Sequence, residues 1–460
     1  MALGSPRDDS AGLPTLRVRL AEVTPRRLLS ALPPGTLPVC IGLVVTGVTA
    51  YAYLILTARV LGPDKYAPLS VLWAIVFLTG PGVFLPLEQE VGRLYAQRRV
   101  EGLGAGSVAR RAGFLGAGLA AVLLVGVWIG SGHIDRDLFD GQGMLLVAFC
   151  CALIGYLLLS LAWGILAGSG RFGSYAVAQG TDGAFRIVVC TFLAVAGIRS
   201  AGPYGLVMGL TPTLAALLAM SRNTDLLAPG PPAHWSDLSS ALGWLLVGSI
   251  GAQALANSSI IAVKLLASPS QDAQAGNFLA GVVIARVPLF LFGAVQAALL
   301  PRLATLCRAG QARQFRSGML RLLYLVGAIG VASVGVAYAV GPWILQLLFG
   351  SRFALGRGDL ALLAAGNAAY MLALAIVQAL IAVGHHARSA VGWLVGLGVF
   401  AGVVLVGSSV LFRVELAFFL GSVAALAVAT ILLRSSVSGI ERNVDPEKLM
   451  VPVSELGIEP

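Results

Sequence analysis

Charge is scarce in this 460-residue chain: Asp, Glu, Lys and Arg make up 11% of it, against 57% for hydrophobic side chains. Water-soluble domains carry about 25% charged residues, so a soluble fold is excluded. Long polar stretches are missing too. The longest gaps between apolar runs, at 93–107, 221–236, 302–316 and 342–358, leave no room for a soluble catalytic domain. Cysteine is sparse: Cys40, Cys150, Cys151, Cys190 and Cys307 lie in apolar runs or a basic loop, and no disulfide is expected. The 4 histidines form no Cys/His ligand spacing, so neither a metal nor another cofactor is expected. Walker, HExxH and GxSxG sequences are absent, which argues against nucleotide-driven work and against the commonest hydrolases. A chain without a nucleotide site must draw on an Na⁺ or H⁺ gradient, or on product removal, to move anything one way. The net charge of +10 does not imply nucleic acid, because the basic residues sit in short segments flanking apolar runs.

What is present is a series of twelve apolar stretches, at 37–60, 67–92, 108–131, 143–167, 175–197, 201–220, 237–265, 274–301, 317–341, 359–383, 389–411 and 414–433. Nearly all reach the roughly 20 residues that cross about 30 Å of hydrocarbon. In lipid every backbone group must be paired within its own segment, so such stretches form helices. A transmembrane barrel would instead show alternation in segments of about ten residues. The 57 glycines suit close helix contact in lipid. The expected fold is therefore all-α and membrane-integral, with twelve transmembrane helices. With the N-terminus in the cytoplasm, 21 of the 31 Lys and Arg residues fall on the cytoplasmic side and 6 outside. That asymmetry puts both termini inside. The expected parts are a cytoplasmic segment 1–36, helices 1–6 over 37–220, a cytoplasmic linker 221–236, helices 7–12 over 237–434, and a cytoplasmic tail 435–460.

Landmarks recur with helix number advancing by six. Arg93-Leu94 with Arg99 closes helix 2, and Arg302-Leu303 with Arg308 closes helix 8. Arg59 ends helix 1 and Lys264 ends helix 7, while Leu166-Ala167 before Arg171 matches Ile381-Ala382 before His386 and Arg388. A duplicated six-helix unit explains the agreement, and an even unit makes the repeat parallel, with a pseudo-two-fold along the membrane normal.

Function lies in what interrupts the apolar pattern. Arg186 falls about 16 Å along helix 5, near the midplane, where arginine costs at least about 2.5–3.5 kcal/mol. Asp182 stands one turn below it, so either the two neutralise each other or Arg186 lines a wet cleft. Arg286 lies comparably deep in helix 8 with no acid within one turn. It takes a partner from another helix, such as Glu88 or Asp182, or waits for an anionic ligand. Gln253, Asn257 and Lys264 share one face of helix 7, although Lys264 and Arg59, near helix ends, are also placed to snorkel. Gly80-Pro81-Gly82 and Pro86 are expected to bend helix 2. Beyond them Glu88 and Glu90 read either as an interfacial network with Arg93 or as gating or ion-coupling carboxylates. Asn367, Tyr370 and Gln378 give helix 10 polar character.

Local features resemble the polysaccharide-flippase branch of the multidrug/oligosaccharidyl-lipid/polysaccharide (MOP) exporter superfamily. They are Leu61-Gly62-Pro63 with Tyr66, then Pro86, Glu88 and Arg93, then Gly168-Ser169-Gly170-Arg171-Phe172 with Tyr175 and Arg186 beyond. The resemblance implies two six-helix lobes that open alternately to either face. It also implies a cargo of oligosaccharide on a polyprenyl diphosphate, with glycan-assembly proteins as partners and a bacterial cytoplasmic membrane as location. It does not specify an oligomeric state. A cationic cleft suits the diphosphate, which makes Arg186, Arg286, Lys264, Arg59, Asn257 and Gln253 the substrate candidates. Glu88, Glu90 and Asp182 are the gating or coupling candidates. Three other readings compete. A cation-coupled multidrug exporter would favour buried acids over buried arginines. A major-facilitator transporter would carry a loop signature that Gly92-Arg93-Leu94-Tyr95-Ala96-Gln97-Arg98-Arg99 does not match. A membrane-embedded glycan polymerase or ligase would need a large outer loop.

Overall fold

A computed structural model describes residues 36–233, 242–267, 272–289, 292, 311–407 and 409–443. The expected N-terminal segment, the landmarks at Arg302 and Arg308, and residues 444–460 of the tail lie outside them. The described chain is helical, and its first helix, Thr36–Val100, is two arms meeting at Gly62. Gly62 takes φ 73° and ψ 169°, a conformation that a Cβ disfavours, and Pro63 then begins the second arm with its fixed φ and missing N–H. The arms are α1 (36–61) and α2 (63–100). There follow α3 (Gly106–His133), a π-helical turn (Ile134–Leu138), α4 (Gly143–Gly168), α5 (Phe172–Val195) and α6 (Ala201–Ser221). The second half holds α7 (Leu242–Leu266), α8 (Asp272–Ala285), α9 (Ala312–Phe349), α10 (Arg357–Ala382), α11 (His386–Val404) and α12 (Val410–Asn443).

The twelve expected helices are thus present, with two differences of extent. α9 continues through Pro342 to Phe349, so most of the expected 342–358 gap is helix, and α12 continues to Asn443. The eighth apolar run is interrupted at Arg286, after which 287–289 are helical again; beyond them only Phe292 of the run is described. Within α2 the backbone stays helical through Pro81 and Pro86; the break in the long helix is at Gly62.

The duplication is visible in the packing. α4 packs on α6, α5 on α6 and α3 on α4, and these contacts repeat as α10 on α12, α11 on α12 and α9 on α10. The turns repeat as well. Gly170 (φ 73°) closes α4, with Gly170 N–H donating to Ala167 and Arg171 N–H to Leu166. Gly384 (φ 82°) closes α10, with Gly384 N–H donating to Ile381 and His385 N–H to Leu380. Both are Schellman-type ends, which glycine favours. Small residues set the helix spacing: a Cβ on Gly209 would lie 2.3 Å from the Ala148 carbonyl, and one on Gly396 would lie 2.7 Å from that of Gly421. The molecule is an all-α integral membrane protein of two six-helix lobes related by a pseudo-two-fold along the membrane normal.

The lobes meet mainly through α1 and α2 of the first and α7 and α8 of the second. One end of the bundle carries Arg93, Arg98, Arg99, Arg171, Arg222 and Arg388 and is called the basic end; the other is the Gly62 end. At the basic end the segment after α6 is strapped to the first lobe. Arg98 Nη1 donates to the Pro231 carbonyl at 2.7 Å, Ser107 Oγ donates to the same carbonyl at 2.6 Å, and Arg171 pairs with Asp225.

Candidate functional site

Between the lobes lies a cavity of about 370 Å³. Its walls come from α1, α2, α7, the α8 region, α10 and α11. It runs from Tyr51, Asn257, Arg286 and Tyr370 at mid-depth toward Gln89, Leu245, Gln378 and Ser389 near the basic end. At the Gly62 end the lobes are clasped. Arg59 Nε donates to the Leu348 carbonyl at 2.6 Å and its Nη2 to that of Leu347, which ties α1 to the last turn of α9. Lys264 Nζ lies 2.7 Å from Asp140 Oδ1, which ties α7 to the turn after α3. A Cβ on Gly276 would lie 2.3 Å from the Pro63 carbonyl, so α8 rides directly on the corner between α1 and α2.

Among the described residues, Arg286 is the only Lys or Arg lining this cavity, and no Asp or Glu lines it. The local sequence explains its position. Pro288 cannot donate to the i−4 carbonyl, and the helix is interrupted at Arg286: α8 runs to Ala285 and helical geometry resumes at 287–289. Arg286 sits on the resulting turn, where its backbone N–H is shared between Val282 at 3.0 Å and Val283 at 3.3 Å. Its guanidinium reaches α7: Nη1 donates to Asn257 Oδ1 at 3.2 Å and Nη2 to the Ala256 carbonyl. Asn257 in turn donates through Nδ2 to the Gln253 carbonyl at 2.9 Å and to Gln253 Oε1 at 3.3 Å. Arg286, Asn257 and Gln253 therefore form one polar chain on the cavity wall, and no carboxylate pairs with Arg286 among the described residues. A guanidinium has five N–H donors and holds its charge, so this one keeps donors for an anion.

The remaining wall is aromatic and polar without charge. Trp73 stacks on Phe77 at 4.3 Å, and Tyr370 lies 5.1 Å from Trp393. Tyr51 Oη donates to the Val283 carbonyl at 3.0 Å and Tyr370 Oη to that of Ala252 at 3.2 Å. Gln89, Gln378, Ser249 and Ser389 complete it.

Other sequence candidates lie away from this cavity. Arg186 is 3% exposed and does not line the cavity. It points into the first lobe, with Nη2 2.5 Å from Asp182 Oδ2 and Cζ 5.8 Å from the Tyr53 ring centre. Its partner is the acid one turn away, at i−4 on the same helix. Lys264 and Arg59 belong to the clasp. Glu90 accepts both Arg93 Nη2 at 2.6 Å and Arg93 Nε at 3.1 Å, an interfacial pair. Glu88 has no cationic partner among the described residues and accepts a long hydrogen bond from Tyr175 Oη at 3.5 Å. Sequence reading passed over Glu415 of α12, which is fully buried with neither carboxylate oxygen hydrogen-bonded among the described residues. It also passed over Tyr51, Trp73, Phe77, Gln89 and Trp393. Pro288 beside Arg286 was the available signal for the wall, because interrupted helices line cavities in membranes. No cluster of three or more possible metal ligands occurs among the described residues.

No family model matches the chain. An uncharacterized protein of Mycobacterium tuberculosis (strain ATCC 25618 / H37Rv) is 28% identical over 375 residues, which cover 78% of this chain and 83% of that protein. A second from the same strain is 26% identical over 356 residues, 75% of this chain and 78% of that protein. Among solved structures, an inward-facing multidrug resistance MATE family transporter of the MOP superfamily superposes with TM-score 0.70 at 14% identity, over 87% of this chain and 96% of the other. An outward-facing conformation of a MATE family transporter gives TM-score 0.63 at 16% identity, over 91% and 99%. A MOP superfamily transporter from Pyrococcus furiosus, reported to have a binding pocket of reverse polarity, gives 0.62 at 15% identity, over 88% and 95%. The fold is that of MOP superfamily transporters.

Proposed function

We propose that this protein is a transporter that moves an amphiphile with an anionic head across a bacterial cytoplasmic membrane by alternating access. The cargo class we assign is a polyprenyl-diphosphate-linked glycan. One observation carries the reading: among the described residues, the cavity between the lobes is lined by a single guanidinium, Arg286, and by no carboxylate. A charged wall of one sign in a low-dielectric cleft selects the opposite sign in its cargo. Arginine offers the planar paired donors that match phosphate oxygens. The aromatic walls at Trp73, Phe77, Tyr370 and Trp393 suit sugar faces or lipid methylenes, and the uncharged amides suit hydroxyl groups. The reversed pocket polarity reported for the Pyrococcus furiosus transporter supports a departure from drug export within the same fold.

The positive-inside count assigns the basic end to the cytoplasm. On that assignment the cavity extends toward the inside and the clasp holds the outside closed. The higher superposition score against the inward-facing structure agrees with this. Arg286 and the Asn257–Gln253 relay receive the diphosphate, and the lipid tail stays in the bilayer. Glu88 is the coupling carboxylate in this scheme, since Glu90 and Asp182 are already paired with arginines. The deciding experiment is depletion of the protein followed by lipid analysis. Accumulation of a glycan-linked polyprenyl diphosphate on the inner leaflet is expected, and an unchanged lipid profile would remove the reading.

Multidrug export is the second reading, favoured by the apolar and aromatic share of the wall. It predicts that hydrophobic cations accumulate in depleted cells while lipid-linked glycans stay unchanged.

A further inference from the structure

A second pocket, of about 620 Å³, lies at the Gly62 end, remote from the cavity and on the boundary between the lobes. Three arginines line it, each from a different element: Arg59 at the end of α1, Arg199 in the turn between α5 and α6, and Arg352 in the turn between α9 and α10. No Asp or Glu is among its described lining residues. Arg59 uses two of its donors on the carbonyls that end α9. Arg199 and Arg352 are exposed, and neither guanidinium has an ion pair or hydrogen bond among the described residues. Arg352 nevertheless crosses the lobe boundary: a Cβ on Gly62 would lie 3.5 Å from its Nη1. The guanidinium of the second lobe thus lies over the corner of the first. Lys65 adds a fourth cation nearby, with Nζ 3.4 Å from the Arg199 carbonyl.

Like charges gathered on one concave surface repel one another, and an anion relieves the repulsion. Arginine on both sides favours an oxyanion that accepts from two forks at once, as a phosphate or diphosphate does. We infer that this pocket binds a phosphate or diphosphate group that bridges Arg199 of the first lobe and Arg352 of the second. A ligand seated there adds to the clasp made by Arg59 and by Lys264 with Asp140. It therefore favours the conformation in which the large cavity is closed at this end. The group is either a free anion or the headgroup of a membrane lipid. The inference stands apart from the cargo assignment, because it concerns another pocket and is read by binding rather than by transport.

The test is titration of the purified full-length protein with inorganic pyrophosphate in non-ionic maltoside micelles, followed by calorimetry and by the thermal unfolding midpoint. In an R286Q background, which removes the cavity guanidinium, saturable 1:1 binding with a rise in midpoint is expected. In that same R286Q background, R199Q/R352Q is expected to weaken it at least 10-fold and R199K/R352K to weaken it less. The two pocket variants must elute and melt as folded protein, and the Lys pair keeps the charge if the Gln pair does not fold. Absence of saturable binding in the R286Q background, or equal binding by the Gln pair there, would overturn the inference; binding by the wild type that R286Q abolishes would place the anion in the cavity instead. Repeating the titration with added phosphatidylglycerol distinguishes the two sources. Competition by the lipid identifies a headgroup site, and unchanged affinity identifies a free anion.

Discussion

Replacing Arg286 tests the cavity chemistry most directly. Its guanidinium spends two donors on Asn257 and the Ala256 carbonyl, which leaves three of five for cargo. Two charge-assisted bonds to a phosphate are worth about 1.5–3 kcal/mol each when formed in a dry site. Arg286 is half-buried and faces a cavity that admits water, so the total is discounted to about 2–4 kcal/mol. At about 1.4 kcal/mol per decade, R286Q is expected to weaken handling of a diphosphate lipid by roughly 30- to 1000-fold. R286K keeps the charge but loses the paired geometry, so it should fall between R286Q and wild type. The assay is flipping of a fluorescent polyprenyl-diphosphate sugar in proteoliposomes. A neutral lipid carrying the same tail and sugar runs beside it. Loss with the charged lipid alone is the expected outcome. A loss below about threefold in folded R286Q, or an equal loss with the neutral lipid, would refute the assignment.

Three further predictions concern the framework. D182N leaves Arg186 inside the first lobe without its carboxylate; breaking such a pair costs about 3–5 kcal/mol. A large drop in thermal midpoint is expected, with D182N/R186Q partly restored, and the protein that still folds should keep its preference for diphosphate lipid. D140N should destabilise the closed Gly62 end more than K264M does, because the Lys264 side chain is 3% exposed and that of Asp140 37%. Cross-linking yield between positions on α7 and the turn after α3 reports it, and equal effects would count against the clasp. G62A forces a Cβ into a backbone conformation that costs about 1–3 kcal/mol. It should lower the thermal midpoint without changing cargo preference.

The helices were legible because length and apolarity alone decide whether a stretch spans a membrane. The duplication was legible in the turn pairs, and Gly170 and Gly384 repeat the same hydrogen bonds. What depth along a helix cannot show is which way a side chain faces. Arg186 and Arg286 lie at similar depth, yet one points into a lobe and the other into the cavity. The acid at i−4 was the informative difference, and it marked Arg186 as the paired one. The aromatic wall stayed hidden for a related reason. Trp73 or Phe77 in an apolar run reads alike whether it meets lipid, protein or a cavity. Beside Pro288 the helix breaks for one residue at Arg286, and a hydropathy reading runs through such a break without registering it.

The cavity is built unequally. Four of its six walls, at α7, α8, α10 and α11, belong to the second half of the chain, and the first half contributes only the two arms joined at Gly62. Under the proposed alternating-access function, a guest held by Arg286, Asn257 and Tyr370 would stay with the second half whichever lobe rocks, while α1 and α2 would act as a shutter passing over it. Cargo choice is then a heritable property of one half: a hybrid carrying residues 242–443 of a homologue should adopt that homologue's guest while keeping its own hinge.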